Sequence, residues 1–96
     1  MACVTITERS RLVVATDQVS CDLAGEVAIL NLKSGIYFGL DPVGASVWNS
    51  LQKPVTLAEL CDRMVEEYDV ERARLEVDLR DLICDLAEHG LIEISE

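Results

Sequence analysis

The residues best suited to chemistry in this 96-residue chain are four cysteines, Cys3, Cys21, Cys61 and Cys84, and one histidine, His89. Zinc needs four ligands brought close, usually as two short-spaced pairs, and no CxxC occurs. No metal or other cofactor is expected. The N-terminus lacks the apolar run of a secretory signal, so the cysteines are expected to be reduced, mostly buried small hydrophobes of a cytoplasmic protein. His89 falls at a predicted helix C-terminus, where capping the last carbonyls is its simplest role. No nucleophile accompanies it in the pattern, so no catalytic residue is expected. A GxxxxGK[ST] phosphate loop is also absent. Glu59, Asp62, Glu66, Glu67, Asp78, Asp85 and Glu88 fit a solvated helix face. Trp48 on a helix reads as core.

One chemistry remains, the binding of an extended peptide. Ile36-Tyr37-Phe38-Gly39-Leu40 carries no charge and no proline, and holds two of the four aromatic residues. Bounded by Ser34-Gly35 and Asp41-Pro42, it reads as a strand. It lacks the lysine, inward charge or proline that usually guards a sheet edge. Such an edge is a docking site for an added strand. Alternatively, a helix or the N-terminal segment covers it.

The elements that must position this strand follow from hydrophobic period. Met1–Ser10 is weakly patterned; it is either frayed or adds a short strand through Val4-Thr5-Ile6. Leu12–Ala15 is apolar and extended. Gln18–Leu23 alternates, with Val19, Cys21 and Leu23 on one face, as a half-buried strand does. Val27–Leu32 is nearly all apolar, as in a central strand. Turns at Ala24-Gly25 and Lys33-Ser34-Gly35 make a three-stranded antiparallel meander ending in Ile36–Leu40.

The period then changes to about 3.6. Asp41 and Pro42 are an N-cap and first-turn pair for a helix with Val43, Val47, Trp48 and Leu51 on one face. Gly44 and Ala45 keep one side of it thin. Thr56-Leu57-Ala58-Glu59 is a capping box for a second helix reaching about Tyr68, with Leu57, Leu60, Cys61, Met64 and Val65 inward. A third helix runs from about Glu71 to His89, with Gly90 as its C′ residue. Leu75, Leu79, Leu82, Ile83 and Leu86 form its main apolar face, with Val77 and Cys84 beside it. Leu91–Ile94 is a short strand or tail. The expected fold is α+β, a winged helix-turn-helix in a single domain over residues 1–96.

Charge narrows the partners. The net charge is −10, and Thr56–Glu96 alone holds 13 acidic and 4 basic residues. Nucleic-acid binding rests on Lys and Arg at phosphates, so nucleic acid is excluded as a partner. No apolar run approaches the ~20 residues of a membrane span.

The run Glu26–Leu51, EVAILNLKSGIYFGLDPVGASVWNSL, resembles the PqqD-like family, also called RiPP recognition elements. The similarity lies in the apolar strand Val27–Leu30, Gly35, the pair Tyr37-Phe38, Gly39-Leu40-Asp41, Gly44-Ala45 and Trp48. It continues through TLAEL, EEYDV and LRDLICDLAEHGLIEI, so it covers Gln18–Ile94. Asp41 stands where asparagine is common, which adds charge and keeps the capping ability. The resemblance implies a winged helix-turn-helix that binds no DNA. It implies binding of the leader peptide of a ribosomally made precursor, antiparallel to the third strand and in the cleft with the third helix. Carried over, the strand side of the site is Ile36, Tyr37, Phe38, Gly39 and Leu40. The helix-side candidates are Leu75, Val77, Leu79, Arg80, Ile83 and Cys84. Arg80 either pairs with an acidic leader residue or is an i,i+4 partner of Glu76. Family members accompany a maturation enzyme, either a radical SAM enzyme or a lasso leader peptidase. The length, the acidity and NLKSGIYFGLDPVGASVW are more similar to the lasso type, called B1.

Two other functions compete. A DNA-binding repressor would need a basic recognition helix, and Glu71, Glu76, Asp78, Asp81, Asp85 and Glu88 make this one acidic. A structural subunit would pair its open edge with a second copy, giving a homodimer.

Overall fold

The computed structural model describes residues 6–95. The expected extended segment near the N-terminus is β1, Arg11–Val14, and the meander is β2 (Gln18–Leu23), β3 (Glu26–Asn31) and β4 (Tyr37–Leu40). Helix α1 (Pro42–Ser50) follows, then a two-residue strand β5 (Val55–Thr56), α2 (Leu57–Glu67), α3 (Arg72–Glu88) and β6 (Ile92–Ser95). The strand considered through Val4–Ile6 lies outside the described residues apart from Ile6, which is buried. Backbone bonds tie the next residues down: Leu57 N–H donates to the Ser10 carbonyl, and Ala58 N–H to that of Glu8.

Local chemistry sets the boundaries as expected. The Asp41 carboxylate accepts from Gly44 N–H at 2.8 Å, and Pro42 opens α1. The capping box of α2 is complete: Thr56 Oγ1 accepts from Glu59 N–H, and the Glu59 carboxylate accepts from Thr56 N–H. Gly90, at φ +70°, ends α3 in the left-handed region that glycine enters at low cost. The β2–β3 turn has positive φ at both Ala24 and Gly25, the pairing of a tight hairpin turn.

The strands form two sheets, not one. One has the order β2-β3-β4; the other is β5-β1-β6, antiparallel throughout, gathering three segments distant in sequence. Trp48, Leu51, Leu57, Leu60, Met64, Ile83, Leu86 and Leu91 lie between sheets and helices and are essentially excluded from solvent. The whole is a winged helix-turn-helix, with α2 and α3 as the paired helices.

Two expectations need correction. Val19, Cys21 and Leu23 alternate as read, but their face is open to water: Val19 is 55% and Leu23 56% exposed. Their partners Leu30, Ala28 and Glu26 lie on the side opposite Val27 and Ile29, which are the residues that meet the core. Second, Val43 does not share the buried face of α1 and is 46% exposed.

Candidate peptide-binding site

Strand β4 pairs with β3 alone, in the register Val27↔Leu40, Ala28↔Gly39, Ile29↔Phe38 and Leu30↔Tyr37. Its other edge meets no strand among the described residues. Asn31 N–H donates to the Ile36 carbonyl at 3.0 Å. Antiparallel bonding alternates along a strand. Phe38 and Leu40 therefore bond inward to β3, and the N–H and C=O groups of Tyr37 and Gly39 point to the free edge.

Side chains alternate as well. Phe38 and Leu40 share the inner face with Ile29 and Val27. Tyr37 stands on the outer face and is 73% exposed. Between β4 and α3 runs a trough that Phe38 divides. A cavity of about 580 Å³ lies on one side of it, lined by Leu40, Val43, Gly44, Tyr68, Val70, Leu75, Leu79 and Leu82 among others. On the other side is one of about 320 Å³, lined by Ile36, Ser34, Glu88, His89 and Leu91 among others. The Phe38 ring sits 4.9 Å from that of His89, tilted by 59°.

Two features hold the trough open at a set width. At one end a Cβ on Gly44 would come within 3.2 Å of Leu40, so glycine lets the start of α1 lie close under β4. At the other end the Asn31 side chain bridges sheet and helix. Its Nδ2 donates to the His89 carbonyl at 2.6 Å, while its Oδ1 accepts from Lys33 N–H and Ser34 N–H. Gly90 completes the joint, because its Cβ position lies 3.1 Å from Asn31 Nδ2. Asn31 is not among the residues expected at the site. Its signal in the sequence is a lone amide at the end of an apolar strand.

The expected residues separate by location. Ile36, Phe38, Gly39, Leu40, Leu75 and Leu79 line the trough, whereas Tyr37 lines neither cavity and presents its backbone to the free edge. Ile83 is wholly buried in the core. Val77, Arg80 and Cys84 lie on the other flank of α3. Arg80 donates to the Glu76 carboxylate at 2.9 Å and to the Ile6 carbonyl, so the intrahelical pairing is the one observed. Cys84 is disulfide-bonded, which corrects the expectation of reduced cysteines; Cys21 and Cys61 are free thiols. Burial pushes the Cys61 thiol pKa up, which keeps it protonated and unreactive.

Asp78, Leu82 and His89 line the trough and are not among the expected residues. They follow Leu75 at successive intervals of three, four and seven residues, one stripe of the helix, so helical period carries their signal. Tyr68 and Val70, in the α2–α3 connection, carry none.

Together these features make a strand edge with two outward-facing residues beside a mostly apolar trough. It is suited to hold an extended chain through its backbone and to sort it by side chain.

A profile of the family described as coenzyme PQQ synthesis protein D (PqqD) matches residues 26–92. The structure of TbiB1 in complex with the TbiA(beta) leader peptide superposes with a TM-score of 0.80, at 38% identity, covering 84% of this chain and 94% of that one. A lasso peptide synthetase B1 complexed with the leader peptide superposes with a TM-score of 0.75 at 23% identity, covering 85% and 96%. No curated protein matches. The profile spans β3, β4, all three helices and the trough between them, and the chain belongs to the PqqD family.

Proposed function

We propose that this protein is a non-catalytic carrier for the leader segment of a ribosomally made precursor peptide. The leader adds to β4 as a further antiparallel strand and lies over the trough toward α3. The carrier then presents it to a maturation enzyme in the cytoplasm, a lasso-type leader peptidase in preference to a radical SAM enzyme. The observation that carries this reading is the free β4 edge directly beside an apolar trough. The relative at 38% identity, itself a complex with a leader peptide, supports it.

The register gives the reading detail. Three leader residues at alternate positions would lie beside Leu40, Phe38 and Ile36, spanning roughly 13 Å at the usual strand rise. The outer two would reach the two cavities, and the middle one would cross the Phe38 ridge. Ile36, Phe38, Leu40, Leu75 and Leu79 would sort side chains, and Tyr37 and Gly39 would supply main-chain bonds.

The test is a fluorescence-polarisation titration with labelled leaders from precursors encoded beside this gene, followed by amide hydrogen exchange. Saturable binding with new protection at the Tyr37 and Gly39 amides is expected. Binding that leaves both amides unprotected would refute strand addition. No binding, with concentration-dependent sedimentation, would favour a homodimer paired through the same edge.

A further inference from the structure

The trough is apolar along its floor, but its charged lining has one sign. Asp41 and Asp78 line the larger cavity and Glu88 the smaller. Among the described residues, no lysine or arginine lines either. The cations of the neighbouring elements are engaged elsewhere: Arg80 with Glu76, Arg72 with Asp62, Lys33 with Asp17. The carboxylates differ in how free they are. Asp41 is occupied in capping α1. Among the described residues Asp78 has only Arg74 at 4.0 Å, an exposed and loose pair of little worth. Glu88 has no ion pair among the described residues. Asp78 and Glu88 are ten positions apart on α3, about 15 Å along its axis, so they flank the stretch of trough that a bound strand would cross.

We infer that the trough selects an extended peptide bearing lysine or arginine on the side that faces α3, and that Asp78 and Glu88 make this selection. The inference rests on the leader-binding reading above and adds the charge of the ligand to it. An apolar trough alone would accept any extended hydrophobic segment. Acidic flanks favour a cationic one, hasten its approach to a chain of net charge −10, and repel acidic competitors. Each exposed pair contributes modestly, about a two- to five-fold change in affinity.

The test does not require the natural leader to be identified. An mRNA-displayed library of random 16-residue peptides is selected on the immobilised full chain, on an Asp78→Asn/Glu88→Gln double variant, and on Gly39→Pro. The last removes one outward N–H without changing charge, and an edge strand tolerates it. The full chain is expected to recover peptides with apolar anchors flanked by lysine or arginine. The double variant keeps the anchors and loses the basic enrichment, and Gly39→Pro recovers neither. Replacing a recovered peptide's basic residue with glutamine then weakens binding two- to five-fold on the full chain and leaves it unchanged on the double variant. Anchors without basic enrichment, or enrichment that survives the double variant, overturn this inference and leave leader binding standing. Failure to recover any peptide, or equal recovery on Gly39→Pro, overturns both.

Discussion

Tyr37 and Phe38 are adjacent aromatics with opposite duties. Phe38 faces the trough and touches His89, whereas the Tyr37 ring faces water on the far side of the sheet. A charge at Phe38 removes apolar contact from the trough, and losing most of a buried aromatic contact corresponds to a roughly ten-fold or greater loss of affinity. Phe38→Lys should show that loss in a polarisation titration, and Tyr37→Lys should bind within about two-fold of the parent. Equal losses at both positions would place the peptide elsewhere. Trp48 is structural by contrast, 1% exposed under the sheet. Trp48→Ala should lower stability by about 3–5 kcal/mol in urea denaturation.

At the level of elements, sheet and helix must be held at a fixed separation. Asn31 does this by reaching from β3 to the His89 carbonyl at the end of α3. Asn31→Ala leaves that joint and two turn amides without partners, a cost of about 1–3 kcal/mol. The joint forms one end of the trough, so this variant should also weaken peptide binding at temperatures where it remains folded. Unchanged binding would show that the joint does not set the trough. The start of α2 gives a pH test. Hydrogen bonds from Thr56 hold the Glu59 carboxyl below its ordinary pKa. A depressed folded pKa means stabilisation that is present above the unfolded value and lost as pH falls through the folded one. The Tm advantage of the parent over Glu59→Gln should therefore be present at pH 7 and shrink on acidification below the ordinary carboxylate range.

Over the whole molecule, charge and topology act together. A net charge of −10 concentrated in the helical half repels itself, and salt screens that repulsion. Raising sodium chloride from 20 to 150 mM should raise the Tm. A gain on the order of 1 kcal/mol corresponds to about 4–8 °C for a domain of this size. A Tm that falls over this range would mean that ion pairs such as Arg72–Asp62 outweigh the repulsion. The same charge opposes association of two copies, while a cationic peptide would relieve it.

Three helices, the capping residues Asp41, Thr56 and Gly90, the meander and the unguarded character of its last strand are legible in the amino-acid order, whereas whether another element covers that edge is not. Each rests on short-range physics: a period of 2 or 3.6, a capping side chain within three residues, a turn residue with positive φ. The family is legible too, because Gly35, Gly39, Gly44 and Trp48 stand at fixed spacings around the edge strand. Long-range pairing is another matter. The sheet β5-β1-β6 joins partners over forty residues apart from β1 to β5 and about eighty from β1 to β6, and no local pattern announces it. Nor does any local pattern place the apolar face of β2 in water, because alternation shows that two faces differ and not which one the core covers. Packing also brings Asp78, Leu82 and His89 to the trough and turns Val77, Arg80 and Cys84 away. Helical period lists the stripes of α3, but only its packing against α2 and β6 decides which stripe is left to face the edge.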